Sequence, residues 1–137
     1  MIEEDNLLIE RPMRAHDTDF VFSSWLRSYR LVPGVKQLEK TVYFEGQERV
    51  ISKILARSST KMLVSASDPD TVIAWMTYQN HWIHYLYVKK EFRRMQLANR
   101  LVGDLGRWKG YTHRFLLQQK LSLPPSLVYD PYKAWLS

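Results

Sequence analysis

The spacing of apolar residues changes twice along this chain, and the change in its middle third constrains the fold most. Residues 62–66, 72–78 and 83–88 alternate or run apolar in the manner of strands. Asp68-Pro69-Asp70 and Asn80-His81 separate these segments and are composed of turn-forming residues. Short turns between consecutive strands are typical of hairpins, so we expect the three segments to be neighbouring antiparallel strands.

A helical spacing returns directly after these strands. Six apolar residues share one face of the predicted helix: Leu97, Ala98, Leu101, Val102, Leu105 and Trp108. Gly110 is a typical helix terminator, and residues 114–118 follow it as a fifth strand. A strand, a helix and a further strand form a crossover, which places residues 114–118 parallel beside the fourth strand, 83–88.

The segments upstream complete the predicted fold. Residues 6–14 form a first strand, Asp17 or Thr18 caps a first helix, and a second helix ends near Arg57. The fold class is therefore α/β (α+β), with a mixed, mostly antiparallel sheet flanked by helices. We expect one domain over residues 1–137.

Composition argues against several classes of protein. The chain has no cysteine, and its four histidines are scattered, so no disulfide and no metal site is predicted. We find no secretory signal and no apolar run near the roughly 20 residues that span a bilayer, so we expect a cytoplasmic protein without a membrane partner. The net charge is +6, which attracts anions. A nucleic-acid partner is not expected, because strands with interleaved aromatic and basic residues are lacking.

The densest basic cluster lies between the fourth strand and the helix that follows it. Lys89, Lys90, Arg93 and Arg94 occupy this loop. The first amides of a helix have no acceptor within the helix, and the helix dipole adds partial positive charge there. The loop is therefore either a site for a phosphate-rich anion or a solvated basic connection, and charge alone does not choose between them.

The residues around this loop resemble motif A of the GNAT family of N-acetyltransferases. In that motif an aromatic residue leads to Arg or Gln, two free positions, Gly, one free position, and Gly or Ala. Here Phe92 leads to Arg93, and Ala98 stands at the final position. The resemblance implies an acetyl-CoA-dependent transfer to a primary amine of a small molecule or a protein. The residues that it assigns to acetyl-CoA binding are Leu86, Val88, Arg93, Arg94, Met95, Gln96, Leu97 and Ala98.

Two features depart from the family pattern. Gln96 stands where the family has its central glycine, which lets the backbone approach a pyrophosphate. The tail is also short, and we expect it to hold one short helix broken by Pro131. The family's last hairpin is then absent or supplied by a second copy in a homodimer. The chain resembles compact phage-encoded acetyltransferase-like proteins, which implies the host cytoplasm. Both departures also fit an inactive GNAT-like protein that binds a partner, such as a virion component.

The resemblance further implies a tyrosine acid in the tail and a base on the central strands. Tyr129 is the first candidate for protonating the leaving thiolate, and Tyr132 is the second, although both rings would also pack the tail onto the sheet. His84 is the candidate base, because its ordinary pKa near 6.5 suits proton transfer. Its strand position equally fits a core histidine, and an ordered water is the alternative base.

Overall fold

The computed structural model describes residues 7–93, 96–115 and 126–134. Over these ranges no helix is both long and apolar enough to cross a bilayer. The helices and strands, in chain order, are β1 (Leu8–Pro12), α1 (Thr18–Tyr29), α2 (Lys40–Arg57), β2 (Ser59–Ser65), β3 (Val72–Gln79), β4 (Trp82–Val88), α3 (Leu97–Val102), β5 (Gly110–Tyr111) and β6 (Val128–Tyr129).

The strands of the described residues form one sheet in sequence order, from β1 at one edge to β6 at the other. Strands β1 to β4 pair antiparallel, and the segments 62–66, 72–78 and 83–88 fall on β2, β3 and β4, with residue 66 just beyond the end of β2. Strand β5 pairs parallel with β4, and β6 pairs parallel with β5. The predicted mixed, mostly antiparallel sheet flanked by helices is therefore confirmed.

Aromatic side chains join α1 to the centre of the sheet. Trp25 of α1 is fully buried and stacks on Tyr85 of β4, with ring centroids 5.0 Å apart and an interplanar angle of 3°. Tyr85 OH lies 2.7 Å from Ser28 Oγ, and Trp75 Nε1 donates to Ser24 Oγ at 2.9 Å. These bonds satisfy ring groups that would be unfavourable to bury alone. They fix α1 over β3 and β4.

Strand β4 carries one extra residue within its pairing to β3. Thr77 pairs with Tyr85 and Tyr78 pairs with Ile83, so His84 has no counterpart on β3. A bulge of this kind bends a strand and redirects the extra side chain. His84 is only 1% exposed. The candidate base is thus held inside the protein by a local irregularity of the strand.

The start of α1 differs from the predicted cap. The helix begins at Thr18, but the preceding Asp17 carboxylate makes no capping hydrogen bond. It accepts instead from the Arg11 guanidinium of β1 at 2.7 and 3.2 Å. This hydrogen-bonded guanidinium holds the pKa of the Asp17 carboxyl below its usual value. The same carboxylate accepts from the Arg14 backbone amide at 2.9 Å, so both of its oxygens are engaged before α1 begins and Asp17 ties β1 to the start of the helix.

The third helix is shorter than its apolar stripe predicts. It ends at Val102, because Gly103 has φ 67° and leaves the helical conformation. Asp104 then caps a separate short turn through a hydrogen bond from Gly106 N at 2.9 Å. Trp108 is buried, although it lies beyond the end of α3. Leu105, by contrast, is 39% exposed, so the stripe read from the sequence does not form one continuous buried face.

The fifth strand lies earlier than predicted. Gly110 begins β5 and does not end a helix, whereas Arg114 and Phe115 lie outside any strand. Residues 116–118, the rest of the predicted strand, are outside the described residues. The parallel placement beside β4 is confirmed with this shift. Gly110 was misassigned because glycine marks both helix ends and close contacts between backbones.

The described part of the tail also differs from the predicted short helix. It forms β6 and then a 3-10 turn, Pro131–Ala134, which begins at the proline that was expected to break a helix. Proline fits the first position of a helical turn, because its fixed φ suits the turn and its missing amide is not needed there. One strand beyond β5 is therefore present in this chain, where the sequence led us to expect none.

We expect Gly110→Ala to lower the free energy of unfolding by about 2 kcal/mol, as overpacking in a closely packed site does. An added Cβ would overlap the backbone oxygen of Val128 and come within 2.7 Å of the Trp82 ring. Backbone cannot rotate away, so β6 would have to move. Urea denaturation measures the loss. The matched control is Gly46→Ala in α2, where a Cβ meets nothing within 4 Å. Equal stability of both variants would show that β6 does not press on Gly110.

Candidate active site

The sheet opens between β4 and β5. The strands pair over two residues each, Trp82–Ile83 and Gly110–Tyr111, and Thr112 N donates to Ile83 O at 3.0 Å beyond them. Strand β4 then continues to Val88, and no strand of the described residues lies beside this part of its edge. Parallel strands that part in this way form the crevice in which such sheets bind ligands. We call this place the β4–β5 opening.

The basic loop folds back on the end of β4. Arg93 Nε donates to Val88 O at 2.9 Å, which fixes the guanidinium at the end of the strand. Lys89 Nζ lies 5.5 Å from the centre of the Phe20 ring of α1. Of these side chains, Arg93 is thus anchored at the end of β4, where its guanidinium fork suits a phosphate. Arg94 and Met95 lie outside the described residues.

Gln96 adopts the left-handed conformation that glycine favours. Its φ is 56° and its ψ is 29°, immediately before α3. A residue with a Cβ is less stable in this conformation by about 1–2 kcal/mol. The position that the GNAT motif gives to glycine therefore keeps the backbone of a glycine position, with an exposed glutamine side chain on it.

Four of the apolar residues assigned to cofactor binding pack inside the protein. Leu86, Val88, Leu97 and Ala98 are each at most 8% exposed. At these positions a cofactor could therefore contact only the backbone groups, because the side chains are buried. For Leu97 and Ala98 these are amides of the first turn of α3, which have no acceptor within the helix.

A chain of polar side chains runs through the protein at the β4–β5 opening. Thr112 Oγ1 lies 2.9 Å from His84 Nδ1 and 3.0 Å from His113 Nδ1, and all three residues are buried. The chain ends on Gln79 Oε1, 3.3 Å from His84 Nε2, and on Gln47 Nε2, 3.3 Å from His113 Nε2. It joins the ends of β3 and β5 to the bulge of β4 and to the middle of α2.

One arrangement of protons satisfies each contact in this chain. The Gln47 amide donates to His113 Nε2, and His113 Nδ1–H donates to Thr112 Oγ1. The threonine hydroxyl donates to His84 Nδ1, and His84 Nε2–H donates to Gln79 Oε1. Both histidines are neutral in this arrangement. Burial lowers the pKa of His84 to about 4 and that of His113 to about 3, which agrees with the neutral forms.

We expect the protein to lose stability as the pH falls from 6.5 towards 4. The unfolded chain protonates both histidines near pH 6.5, whereas the folded chain excludes the proton down to about pH 4 at His84 and about pH 3 at His113. The unfolded state then binds more protons, so the free energy of unfolding falls with pH. Urea denaturation at pH 7.5, 6 and 5 measures the slope. His113→Gln should flatten it, and the exposed control His81→Gln should not. Identical slopes in both variants would contradict a buried, neutral His113.

Of the two tail tyrosines, Tyr129 lies on β6, which pairs with β5. Its ring lies 5.4 Å from that of Tyr111 of β5, and the Arg114 guanidinium lies 4.6 Å from the ring centre. Tyr132 is 71% exposed in the turn that follows β6. Two strand spacings, about 10 Å, separate the backbones of β6 and β4. Tyr129 and His84 thus lie on two sides of β5, and Tyr132 lies at the surface.

The sequence did not identify Thr112, His113, Gln47 or Gln79 as site residues. None of them belongs to a local motif, because they come from a bend, a helix interior and a strand end. The structure places the pair Thr112-His113 directly after β5, the strand that parts from β4, whereas the strand predicted at 114–118 put the pair before it. Residues at such a point border the crevice between the strands.

The described part of the chain has no set of side chains that could ligate a metal ion. No group of three or more His, Cys, Asp or Glu side chains in these ranges is placed to hold a metal ion. His84 and His113 are bound to neutral polar partners instead.

Comparison with known proteins links this geometry to solved structures. No protein-family model and no curated protein sequence matches the chain. YjaB from Escherichia coli, solved in its apo form, has 17% identity and a TM-score of 0.54 over 70% of this chain. The match spans 62% of YjaB, less than two thirds of its length. A possible acetyltransferase from Clostridium difficile 630 has 21% identity and a TM-score of 0.51, over 77% of each chain.

A third solved structure is more distant. It is AAC(6')-Iy in complex with the bisubstrate analog CoA-S-monomethyl-acetylneamine, with 15% identity and a TM-score of 0.39 over 74% of this chain and 71% of that one. The first two similarities, together with the mixed sheet and its flanking helices, show that the chain has the GNAT-type fold predicted from its sequence. At these identities they establish the fold and leave the activity to the site itself.

Proposed function

We propose that the protein is an acetyl-CoA-dependent N-acetyltransferase acting on a primary amine. The observation that carries the proposal is the β4–β5 opening with the Arg93 guanidinium anchored at the end of β4. A strand edge without a partner strand offers N–H and C=O groups to a ligand that has amides of its own. Peptides that add a strand to a sheet bind through such groups. The pantetheine arm of acetyl-CoA carries such amides. Its pyrophosphate would then meet the basic loop and the first amides of α3.

The reaction requires two proton movements. The amine nitrogen forms a bond to the acetyl carbon while the bond from that carbon to sulfur breaks. The amine gives up one proton, and the departing thiolate takes one. Acetyl-CoA supplies the activated acetyl group, so the residues of the chain have to bind, orient and exchange protons.

The geometry favours Tyr129 over Tyr132 for the acid, because Tyr129 lies on the sheet and Tyr132 is exposed. His84 is a weak base in this setting, since both ring nitrogens are hydrogen-bonded and its pKa is about 4. We therefore assign removal of the amine proton to water. His84 and Thr112 are positioning residues that hold the ends of β4 and β5 at the opening.

Isothermal titration calorimetry with CoA, acetyl-CoA and a DNA oligomer tests the proposal. We expect both CoA forms to bind and the oligomer not to bind. In a parallel thermal melt, ligand at 100 times its Kd should stabilise the fold by about 2.7 kcal/mol. Absence of CoA binding would overturn the enzyme proposal. CoA binding without transfer to any amine of a broad panel would favour the inactive, GNAT-like binding protein.

A further inference from the structure

A pocket of about 550 Å³ lies between α2 and the segment that joins α1 to α2. We call it the α2 pocket. Two of its lining side chains also reach the surface, since Leu38 is 47% exposed and Val42 is 59% exposed. The apolar part of the lining consists of Val35, Leu38, Val42, Val50 and the rings of Tyr29 and Tyr43. The pocket is therefore a concave apolar site with an apolar rim.

Exposed apolar side chains are concentrated in this part of the chain. Of the eight large ones that the described residues expose, Leu31, Leu38 and Val42 come from the connection between α1 and α2 and from the first turn of α2. Single exposed apolar residues are common on proteins, whereas a group of them at one place marks an interaction site. We therefore looked for the kind of partner that would cover them.

A glycine within a helix keeps one wall of the α2 pocket open. Gly46 lines the pocket in the interior of α2, and a Cβ built there meets nothing within 4 Å. Glycine is less favourable than alanine in a helix interior by about 1 kcal/mol. The packing around Gly46 does not require a glycine, so its effect is to leave room in the pocket for a side chain of a partner.

The inner end of the α2 pocket is closed. The Gln47 side chain lines the pocket and lies 3.3 Å from Nε2 of the buried His113. This contact separates the pocket from the β4–β5 opening. A molecule in the pocket therefore binds from the outer surface of the protein, away from the place of the proposed acetyl transfer.

Two arginines lie at the rim of the α2 pocket. Arg49 lines it and is exposed. Arg30 Nη1 donates to Leu38 O at 2.7 Å, and the Arg30 guanidinium lies 5.2 Å from the centre of the Tyr43 ring. These contacts hold the second guanidinium against two lining residues. No Asp or Glu is among the described residues that line the pocket.

The nearby acids do not neutralise this rim. The Glu39 carboxylate accepts from two backbone amides at the start of α2, at 3.1 Å each. Glu45 and Glu48 are exposed on α2 outside the lining, and Arg49 forms no ion pair with any described residue. A second copy of this chain would bring the same cations to the same place, which is unfavourable. An acidic partner is favoured instead.

We propose that the α2 pocket docks an acidic segment of another protein, which inserts one large apolar side chain into the pocket. The aliphatic and tyrosine lining takes this anchor, and its neighbouring carboxylates lie beside Arg30 and Arg49. The inference goes beyond the proposed function and does not depend on it, because the Gln47 contact closes the pocket towards the β4–β5 opening.

The test titrates blocked peptides into the isotope-labelled protein and follows its amide chemical shifts. The probe is Glu-Asp-Glu-Phe-Glu-Asp-Glu. One control peptide has alanine in place of phenylalanine, and the other has lysine in place of each acid. We expect the probe to bind at least about 10-fold more tightly than either control, the effect of one buried apolar side chain or one charge-assisted hydrogen bond. Its shifts should centre on Val42, Gly46 and Arg49. Absence of binding, equal binding of a control peptide, or shifts centred elsewhere overturns the inference.

Two variants localise the site. Gly46→Leu fills the open wall without a clash and should abolish binding of the probe, whereas Ser52→Leu adds the same side chain to α2 outside the lining and should not. Arg49→Glu should weaken the probe by about 10-fold or more. Arg27→Glu, an equal charge change at an exposed position of α1, should stay within about 3-fold of the wild type. Wild-type affinity in Gly46→Leu, or equal losses in the two Glu variants, overturns the assignment.

An anionic membrane is the rival occupant, because it also combines apolar groups with negative charge. Sedimentation with vesicles of phosphatidylcholine and phosphatidylglycerol separates the two. We expect the protein to bind these vesicles equally with and without Gly46→Leu, since a flat surface does not fill the pocket. Vesicle binding that is lost in Gly46→Leu would assign the pocket to lipid and overturn the protein partner.

Discussion

Reversing the charge of Arg93 and Arg94 together is expected to weaken acetyl-CoA binding by roughly 10²–10⁴-fold. Each hydrogen bond to a charged group contributes about 1.5–3 kcal/mol, and two of them account for this range. Arg93 is held at the end of β4 by its bond to Val88 O, so its guanidinium is already placed beside the β4–β5 opening. Calorimetry on Arg93→Glu/Arg94→Glu measures the loss. Binding by the wild type should also weaken as salt is raised.

Two controls separate a local effect from a general one. Arg27→Glu/Lys36→Glu changes the net charge equally at exposed positions and should keep the wild-type affinity within about 3-fold, because screening limits distant charges. Arg93→Lys/Arg94→Lys keeps the charge without the fork and should bind with intermediate affinity. Circular dichroism checks that loss of the Val88 contact has not unfolded the protein. Equal weakening by both Glu variants would rule out a phosphate site at this loop.

The part of the fold that the sequence predicted well is the part with local signals. Strands β2 to β4 were correctly placed because each is short, rich in apolar or β-branched residues and bounded by a turn. The second helix ends at Arg57 as predicted, since its apolar stripe stops there. Neighbouring strands along the chain pair with each other here, so the local signals were enough to order them.

The errors lie where position depends on contacts between distant segments. Gly110 belongs to a two-residue strand, which is too short to show a period, and its strand role comes from Trp82 and Val128 on either side. Asp17 is a residue type that often caps helices, but here its carboxylate accepts from the Arg11 guanidinium. In each case a tertiary partner overrides a correct local preference.

The candidate site divides in the same way. The basic loop could be found because its residues are consecutive, and its motif led to the correct fold. The buried chain through His84 could not be found, because its members come from β3, β4, α2 and the end of β5. The β4 bulge that turns His84 inward also lies in the pairing with β3, and alternation in one strand does not reveal it.

The second large effect concerns catalysis. We expect Tyr129→Phe to lower turnover by about 10²–10⁴-fold, the usual contribution of a general acid. Phenylalanine keeps the ring that packs 5.4 Å from Tyr111 and under the Arg114 guanidinium, so stability and acetyl-CoA affinity should stay close to wild type. The rate is measured with an acceptor from the amine panel, or by acetyl-CoA hydrolysis where no acceptor is found. The loss should appear in kcat and not in KM, since the hydroxyl acts as the carbon–sulfur bond breaks.

Tyr132→Phe is the matched control, because it removes the same hydroxyl from an exposed ring three residues further along the chain. Its rate should equal that of the wild type within about 2-fold, as expected when no transition-state contact is lost. A slow Tyr132→Phe with a normal Tyr129→Phe would exchange the two roles. Normal rates in both variants would show that neither tyrosine acts as the acid. Water at the β4–β5 opening would then protonate the thiolate. A leaving group with a lower thiol pKa distinguishes the cases, since it should restore the rate of the variant that lacks the acid.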